Sequence, residues 1–351
     1  MDRTRHLLNT LTEMSDDYKR IAELTSGKQR SDADIRSRKY MEGVSHLRRA
    51  YYAYGPIVGV TKTNVEFRGA DGNVVKKKIT GVGDATLKKI GAFLLENKIN
   101  QAELIHEERL ALEENMTDRK KSEELLQSIY GIDKATAPKI WEKMRPRTNQ
   151  DLFTINDIRK NTDLLPNKSS VKYLKHYESV RKRIPRDAIF VFEIVLKYFV
   201  QSKFGKDSNI VIAGSYRRER LTSGDIDVLI GKANYTLKEL VDYLIQKGVI
   251  IEVLSLGKHK AHCIANCPGN VLHPFRMDIQ YSDNPKSWAS MLLYFSSGVH
   301  INRLMRLQAS NKGYKLSEYG LYKNSDRLET PTEESIFKLL DIPFIPVSQR
   351  D

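Results

Sequence analysis

The stretch "GSYRRERLTSGDIDVLI", residues 214–230, joins a Gly-Ser turn, a cluster of arginines and two aspartates one residue apart. Like charges held this close repel, and burying either is costly unless a cation compensates. In an extended strand side chains alternate between faces, so Asp225 and Asp227 project together while Ile226, Val228 and Ile230 point into the core. "FRMDIQY", residues 275–281, is a second alternating strand, with Asp278 flanked by Met277 and Ile279 on the opposite face. Three carboxylates on neighbouring strands can hold two Mg2+ ions, or Mn2+ in their place. Such a pair activates an attacking hydroxyl and neutralises charge on a transferring phosphoryl group. Upstream, Gly214 and Ser215 follow a buried strand and open the segment bearing Arg217 and Arg218. A strand end that runs into a helix start with a hydroxyl and an arginine is a phosphate seat. Asp-x-Asp by itself is common. The ordered set of Gly-Ser, Arg, Gly-Asp-x-Asp and a later strand aspartate is far more specific.

The bulk properties agree with a phosphate-handling protein. The chain has 351 residues, which predicts two to four domains, and 58 Lys and Arg against 44 Asp and Glu leave a formal charge of +14. A pI near 9.5 favours a polyanionic partner over the plainer role of a basic surface in solubility. With 40% hydrophobic residues the chain can bury a core. No stretch approaches the ~20 apolar residues of a membrane span, and the opening "MDRTRHLLNT" lacks a signal-peptide core, so the expectation is an intracellular protein, nuclear or cytoplasmic, with no membrane contact. Cys263 and Cys267 are the only cysteines, which fits a reducing compartment. With His259, His262 and His273 nearby they raise zinc, but "HKAHCIANCPGNVLH" offers no paired ligand set and reads better as a strand followed by a Pro-Gly turn.

The first ~55 residues read as helical, with Met41, Val44 and Leu47 on one face. "NVEFRGADGNVVKKKI" then alternates around Asp71-Gly72, a hairpin signature. Two later segments resemble each other: "ITGVGDATLKKIGAFL", residues 79–94, and "IYGIDKATAPKIWEKM", residues 129–144. Both follow the helix-hairpin-helix pattern. Gly81, Gly83 and Gly131 would let the backbone approach a DNA phosphate, met by free amides at the second helix's N-terminus, and such a contact reads no base. In the second copy Asp133 replaces a glycine, and a carboxylate beside a phosphate is unfavourable.

Taken together, the two hairpins, "RKRIPR" at 181–186, the 214–230 stretch, "RMDI", "YFSSG" and "SEYGLY" run in an order that resembles the family X DNA polymerases, in the layout of their polymerase beta branch. The likeness covers nearly the whole chain. It implies an α+β fold: helical N-terminal and fingers domains with helix-hairpin-helix motifs, a nucleotidyltransferase-type palm sheet and a small α/β thumb. The corresponding boundaries are 1–102, 103–184, 185–285 and 286–351. It also implies a monomeric repair enzyme that fills short gaps in gapped or nicked double-stranded DNA from deoxynucleoside triphosphates, with a DNA ligase as a partner. By the same resemblance Asp225 and Asp227 would bind both metals and Asp278 one of them, with Arg276 beside it. Ser215, Arg218, Gly224 and Arg183 would hold the triphosphate, Tyr294 and Phe295 the sugar and base, Asn302 the minor-groove edge and Arg306 the template side. Glu219, Val299, Gln280 and "YFSSG" depart from the family pattern, which bears on fidelity, closing motion and sugar selection.

The resemblance further implies a deoxyribose-phosphate lyase in the first domain. There a lysine amine of lowered pKa forms a Schiff base with the sugar aldehyde, and Lys89 aligns with that lysine. Tyr40 and Arg36 fall at supporting positions, and the adjacent Lys88 would help lower the Lys89 pKa. Ile35 and Ala85 depart from the pattern, as does the extra "TKTNVEFRGADGNVV" insertion. Backbone carbonyls of Ile79 and Val82 would hold a monovalent cation, Na+ or K+, at the hairpin. Two other classes stay open: a template-independent nucleotidyltransferase, which shares the Gly-Ser and Asp-x-Asp chemistry, and a non-catalytic DNA-binding scaffold.

Overall fold

A computed structural model describes residues 3–207, 209–231, 234–269 and 272–350. The chain divides into two compact units: residues 1–116 with 341–344, and residues 117–340 with 345–351. No helix among the described residues is long and apolar enough to cross a membrane.

The first unit opens with α1 (Arg3–Leu24) and α2 (Gly27–Tyr54). Leu7, Leu11, Met14, Tyr18 and Ile21 recur at three- and four-residue spacing along α1 and pack with Val44 and Leu47 of α2 in one core. A three-stranded antiparallel sheet follows, β1 (Ile57–Val60), β2 (Val65–Arg68) and β3 (Val74–Lys77), and then α3 (Asp84–Glu96) and α4 (Asn100–Glu114). The hairpin expected around Asp71-Gly72 is β2–β3. Asp71 Oδ1 accepts the Asn73 amide at 3.1 Å, and Gly72 takes φ +81°. β1 was not apparent from alternation; it is fixed by pairing with β2, whose Val65 and Phe67 are wholly buried.

The second unit begins with a helical stretch: α5 (Asp118–Gln127), α6 (Ala137–Thr148), α7 (Ile155–Lys160), α8 (Lys168–Lys175) and α9 (Tyr177–Val180). Then come β4 (Ile184–Pro185), α10 (Arg186–Phe204), β5 (Asn209–Ile212), α11 (Gly214–Arg217), β6 (Thr222–Ser223) and β7 (Ile226–Gly231). α12 (Leu237–Gln246), β8 (Ile250–Leu256), β9 (Lys260–Ala265) and β10 (Phe275–Ser282) complete the palm sheet, in the order β5-β7-β10-β9-β8. β7 and β10 run parallel and the other neighbours antiparallel. Ile189, Phe192, Leu196 and Val200 of α10 and Leu237, Leu240, Val241 and Leu244 of α12 share a core with Ile226, Val228 and Ile230. The inward alternation expected of "DIDVLI" is therefore observed.

The remaining segment comprises α13 (Trp288–Ser296), α14 (Val299–Asn311), the three-stranded sheet β11 (Tyr314–Ser317), β12 (Gly320–Lys323) and β13 (Asp326–Arg327), and α15 (Glu333–Leu339). Met291 of α13 packs with Ala213 and Leu229 on the sheet face opposite the main core. Arg217 of α11 donates to both carboxylate oxygens of Glu333, at 3.1 and 2.7 Å, and Arg350, wholly buried, donates to the same carboxylate. The structure is thus a mixed α+β fold with a helical N-terminal region, a palm sheet and a thumb.

Candidate active site

Parallel pairing of β7 with β10 sets Asp227 directly beside Asp278, and Asp225 precedes β7 by one residue. Arg276, two residues before Asp278 on the same strand face, reaches both: its Nη2 lies 2.9 Å from Asp278 Oδ2 and 3.4 Å from Asp225 Oδ2. Burial, then the fields of Asp225 and Asp278, push the Asp227 carboxyl up to about 7. Asp225 is raised as well, by burial first and by Asp278 against the opposing pull of Arg276. Asp278 instead stays below the usual range: burial would raise it, but His262 and Arg276 together outweigh that. Gly214, at φ +58°, leaves room for this cluster, because a Cβ there would overlap Asp227 Oδ2.

Such a site asks for cations. Burial and two neighbouring acids raise one carboxyl to about 7, and a guanidinium spans the other two. Asp278 Oδ1 is buried against His262 Nδ1 at 2.9 Å, so Oδ2 is the oxygen on the Asp225 side. The oxygen donors suit a hard divalent ion. Among the described residues no three metal-ligating side chains gather around one point, and Arg276 bridges Asp225 and Asp278.

The residues expected to seat a phosphate lie on α11 and around the two-stranded β4–β6 pair. Ser215 Oγ donates to Ser223 Oγ at 2.8 Å. Pairing of Ile184 with Ser223 brings Arg183 alongside, where its Nε and Nη2 donate to Thr222 Oγ1 and Thr222 O at 3.1 and 2.7 Å. Gly224 lies against Arg183: a Cβ there would sit 3.3 Å from Nη1. The two arginines of the expected pair part company. Arg217 is committed to Glu333, while Arg218 is close enough for its charge to lower the Asp227 pKa. Glu219, at the departure from the family pattern, takes φ +64°, the left-handed conformation that glycine accepts without strain.

Tyr294 and Phe295 lie in the last turn of α13, their rings 5.0 Å apart and edge to face, and Phe295 packs against the Ala213–Leu229–Met291 cluster. The Asn302 amide is engaged within the protein, donating to the carbonyls of Tyr294 and Ser297 at 2.8 and 2.9 Å. Arg306 is exposed one turn further on and donates to Asn302 O at 3.3 Å. Val299 is largely exposed, and Gln280 is buried on β10.

In the first unit the Lys89 Nζ lies 5.7 Å from the centre of the Tyr40 ring and donates to Ala85 O at 3.3 Å. Tyr40 stacks on Tyr18 at 5.8 Å, and Arg36 reaches the Tyr18 hydroxyl at 3.5 Å. The Lys89 pKa is lowered, by burial first and by Arg36 second. Lys88 points to solvent and is not the source of that shift, contrary to the expectation from its adjacency. Gly81 takes φ +75° and approaches α2 so closely that a Cβ on Gly43 would lie 2.9 Å from Gly81 O. Ile79 O accepts the Val82 amide at 3.1 Å across that turn, and Gly83 caps α3 without a side chain. In the second unit Gly131 takes φ +83° in the matching place. There the Asp133 carboxylate itself accepts the Ala135 and Thr136 amides, at 3.1 and 2.8 Å.

The sequence offers His262 only as a zinc candidate, but it pairs with Asp278 across β9–β10, its Nδ1 2.9 Å from Asp278 Oδ1. The signal was the alternation of "KAHCIA", which sets His262 on the face opposite the buried Ala261 and Cys263. Cys263 and Cys267 are buried free thiols, with Cys263 pushed up to about 12 by burial.

The descriptions "DNA polymerase beta palm" and "DNA polymerase beta thumb" match residues 183–284 and 291–351. The chain is 32% identical over 253 residues to DNA polymerase lambda of Rattus norvegicus, covering 65% of this chain and 42% of that protein. It is 26% identical over 337 residues to DNA polymerase lambda of Arabidopsis thaliana, covering 87% of this chain and 58% of that one. DNA nucleotidylexotransferase of Xenopus laevis is 23% identical over 275 residues, with 67% and 53% covered. The chain thus spans about half the length of the curated relatives it matches. A crystal structure of Leishmania infantum polymerase beta in a ternary P/T complex superposes with a TM-score of 0.60 at 22% identity, covering 67% of this chain and all of that one, which shows a shared fold. The chain belongs to the family X DNA polymerases, with a palm and a thumb of the polymerase beta kind.

Proposed function

We propose that this protein fills short gaps in duplex DNA by template-directed nucleotidyl transfer to a primer 3'-hydroxyl, and that its first unit carries a deoxyribose-phosphate lyase activity for base excision repair. The observation that carries the polymerase reading is the register of Asp227 with Asp278, with Asp225 and Asp278 sharing Arg276. Asp225 and Asp227 would hold two divalent ions, Mg2+ or Mn2+, and Asp278 would complete the set for one of them. When bound, such a pair supplies Lewis-acid activation of the primer hydroxyl and neutralises charge on the triphosphate. Ser215, Arg218, Gly224 and Arg183 then orient the triphosphate for in-line attack, and Tyr294 and Phe295 bound the sugar and base. Asn302 lies toward the minor-groove edge and Arg306 toward the template side. Gly81, Gly83 and Gly131 let DNA phosphates approach the hairpins, with Ile79 and Val82 carbonyls offered to a monovalent cation. A monomer inside the cell, in the nucleus or cytoplasm, acting before a DNA ligase, fits this chemistry.

For the lyase, Lys89 is half-buried, and its lowered pKa gives a larger neutral fraction to attack the sugar aldehyde carbon, with loss of water to the imine. Tyr40 shields the amine from one side and Arg36 supplies the repelling charge. The relative named DNA nucleotidylexotransferase keeps a template-independent reading in view. Paired hairpins, which suit a grip on duplex backbone, favour the templated one.

One gapped duplex carrying a 5'-deoxyribose phosphate tests both activities. Asp225→Ala is expected to lose at least about a hundredfold in gap filling while retaining borohydride-trapped adduct, and Lys89→Ala to show the reverse. Extension that proceeds equally well without a template strand would overturn the templated reading.

A further inference from the structure

We propose that His262 is a positioning residue for Asp278, holding one oxygen of that carboxylate so that the other faces Asp225 and the reacting hydroxyl. The inference rests on the reading of the three aspartates as the metal-binding set of a polymerase. Direct pairing of His262 with Asp278 across antiparallel β9–β10 puts both side chains on one face of the sheet. His262 Nδ1 and Asp278 Oδ1 are 2.9 Å apart and both are buried. The contact does not meet hydrogen-bond geometry, and neither atom has a hydrogen-bond partner among the described residues. A carboxylate oxygen only accepts, so Nδ1 is the atom that must carry the hydrogen. A turn of either side chain would complete the bond, and Oδ1 has no hydrogen-bond partner among the described residues.

The opposite oxygen, Oδ2, already takes Arg276 at 2.9 Å. One contact leaves a carboxylate free to rotate about its last torsion, whereas two contacts on opposite oxygens fix it. Outer partners of this kind set ligand orientation and tune metal affinity.

The imidazole is itself held. The Tyr130 ring packs against it at 5.8 Å and stacks on Tyr173 at 6.3 Å. The Tyr130 hydroxyl donates to Ser255 Oγ at 3.1 Å, and its carbonyl accepts from Ser170 Oγ at 2.8 Å. Tyr130 immediately precedes Gly131 at the tip of the second hairpin, so a chain of packed side chains runs from that hairpin through His262 to Asp278.

The test compares full-length wild type, His262→Leu, His262→Gln and Asp278→Ala. It measures half-saturating Mg2+ in gap filling, Mn2+ binding by electron paramagnetic resonance with gapped DNA and a non-hydrolysable nucleotide, affinity for gapped DNA, and thermal unfolding. His262→Leu is expected to raise both metal constants by about tenfold while leaving DNA affinity unchanged. His262→Gln, which keeps an N–H donor, restores most of the wild-type metal dependence. Should His262→Leu fail to fold, the proposal stands on whether His262→Gln and His262→Met, matched in length but with and without the donor, differ in the Mn2+ constant. Unchanged metal constants in the non-donor variant, with Asp278→Ala inactive, overturn the role of His262 alone. An active Asp278→Ala enzyme instead overturns the assignment of the three aspartates on which it rests.

Discussion

Asp227 sits where a carboxylate is least at ease, enclosed by the palm, beside two other acids and with its compensating arginines at a distance. Its carboxyl is raised from 3.8 to about 7 in the folded protein. Between those values the folded state holds a proton that the unfolded chain has released, so this residue makes stability fall as pH rises, with the full loss reached above about 7. Asp227→Asn removes the penalty. In a chelating buffer it should stabilise the protein at pH 8 by on the order of 1–3 kcal/mol, with the gain shrinking toward pH 4. Thermal melts across that range check it, and a gain independent of pH would contradict the assignment. The paired projection of Asp225 and Asp227 could be read from alternation alone. That Lys89 owes its lowered pKa to burial first and then to Arg36, rather than to Lys88, could not, because neighbours on a helix diverge in direction while Arg36 arrives from α2.

The two hairpins share a pattern but differ as elements. At the first, α3 begins at Gly83 without a side-chain cap, leaving its leading amides for a phosphate. At the second, Asp133 occupies the Ala135 and Thr136 amides and adds a negative charge where DNA would approach. The carboxylate, whose pKa is lowered first by the Thr136 side chain and then by those amides, thereby takes the place a phosphate would have. Asp133→Asn keeps an accepting oxygen and removes the charge. Gapped-duplex affinity should then rise at low salt, with the slope of log K against log salt steeper by about one, and stability should change by less than about 1 kcal/mol. A variant that binds more weakly would show that the second hairpin does not face DNA. The likeness of the hairpins was legible as a repeated spacing of glycine and apolar residues. The capping role of Asp133 was not, because a side-chain-to-amide bond depends on the local turn.

In the second unit as a whole, Glu333 joins α11 to the C-terminal segment, accepting from Arg217 and from the wholly buried Arg350. Removing one member of a buried ion set leaves the others charged and unpaired. Glu333→Ala is therefore expected to destabilise the protein by about 3–5 kcal/mol in denaturant unfolding. Glu333→Gln, which keeps the accepting oxygen, should lose less, and equal losses would remove charge from the explanation. The chain's own order of residues determined the strands that carry the aspartates and the paired hairpins, since each rests on spacing within one short segment, where the period of a strand or turn dictates which side chains share a face, and its composition set the basic balance. Tertiary structure alone decided that Asp278 registers against Asp227, that His262 stands behind it, that Arg217 turns away from the phosphate seat and that β1 completes a sheet. These depend on which distant strands pair, and in which register, which is settled by burial of the whole core rather than by any local pattern.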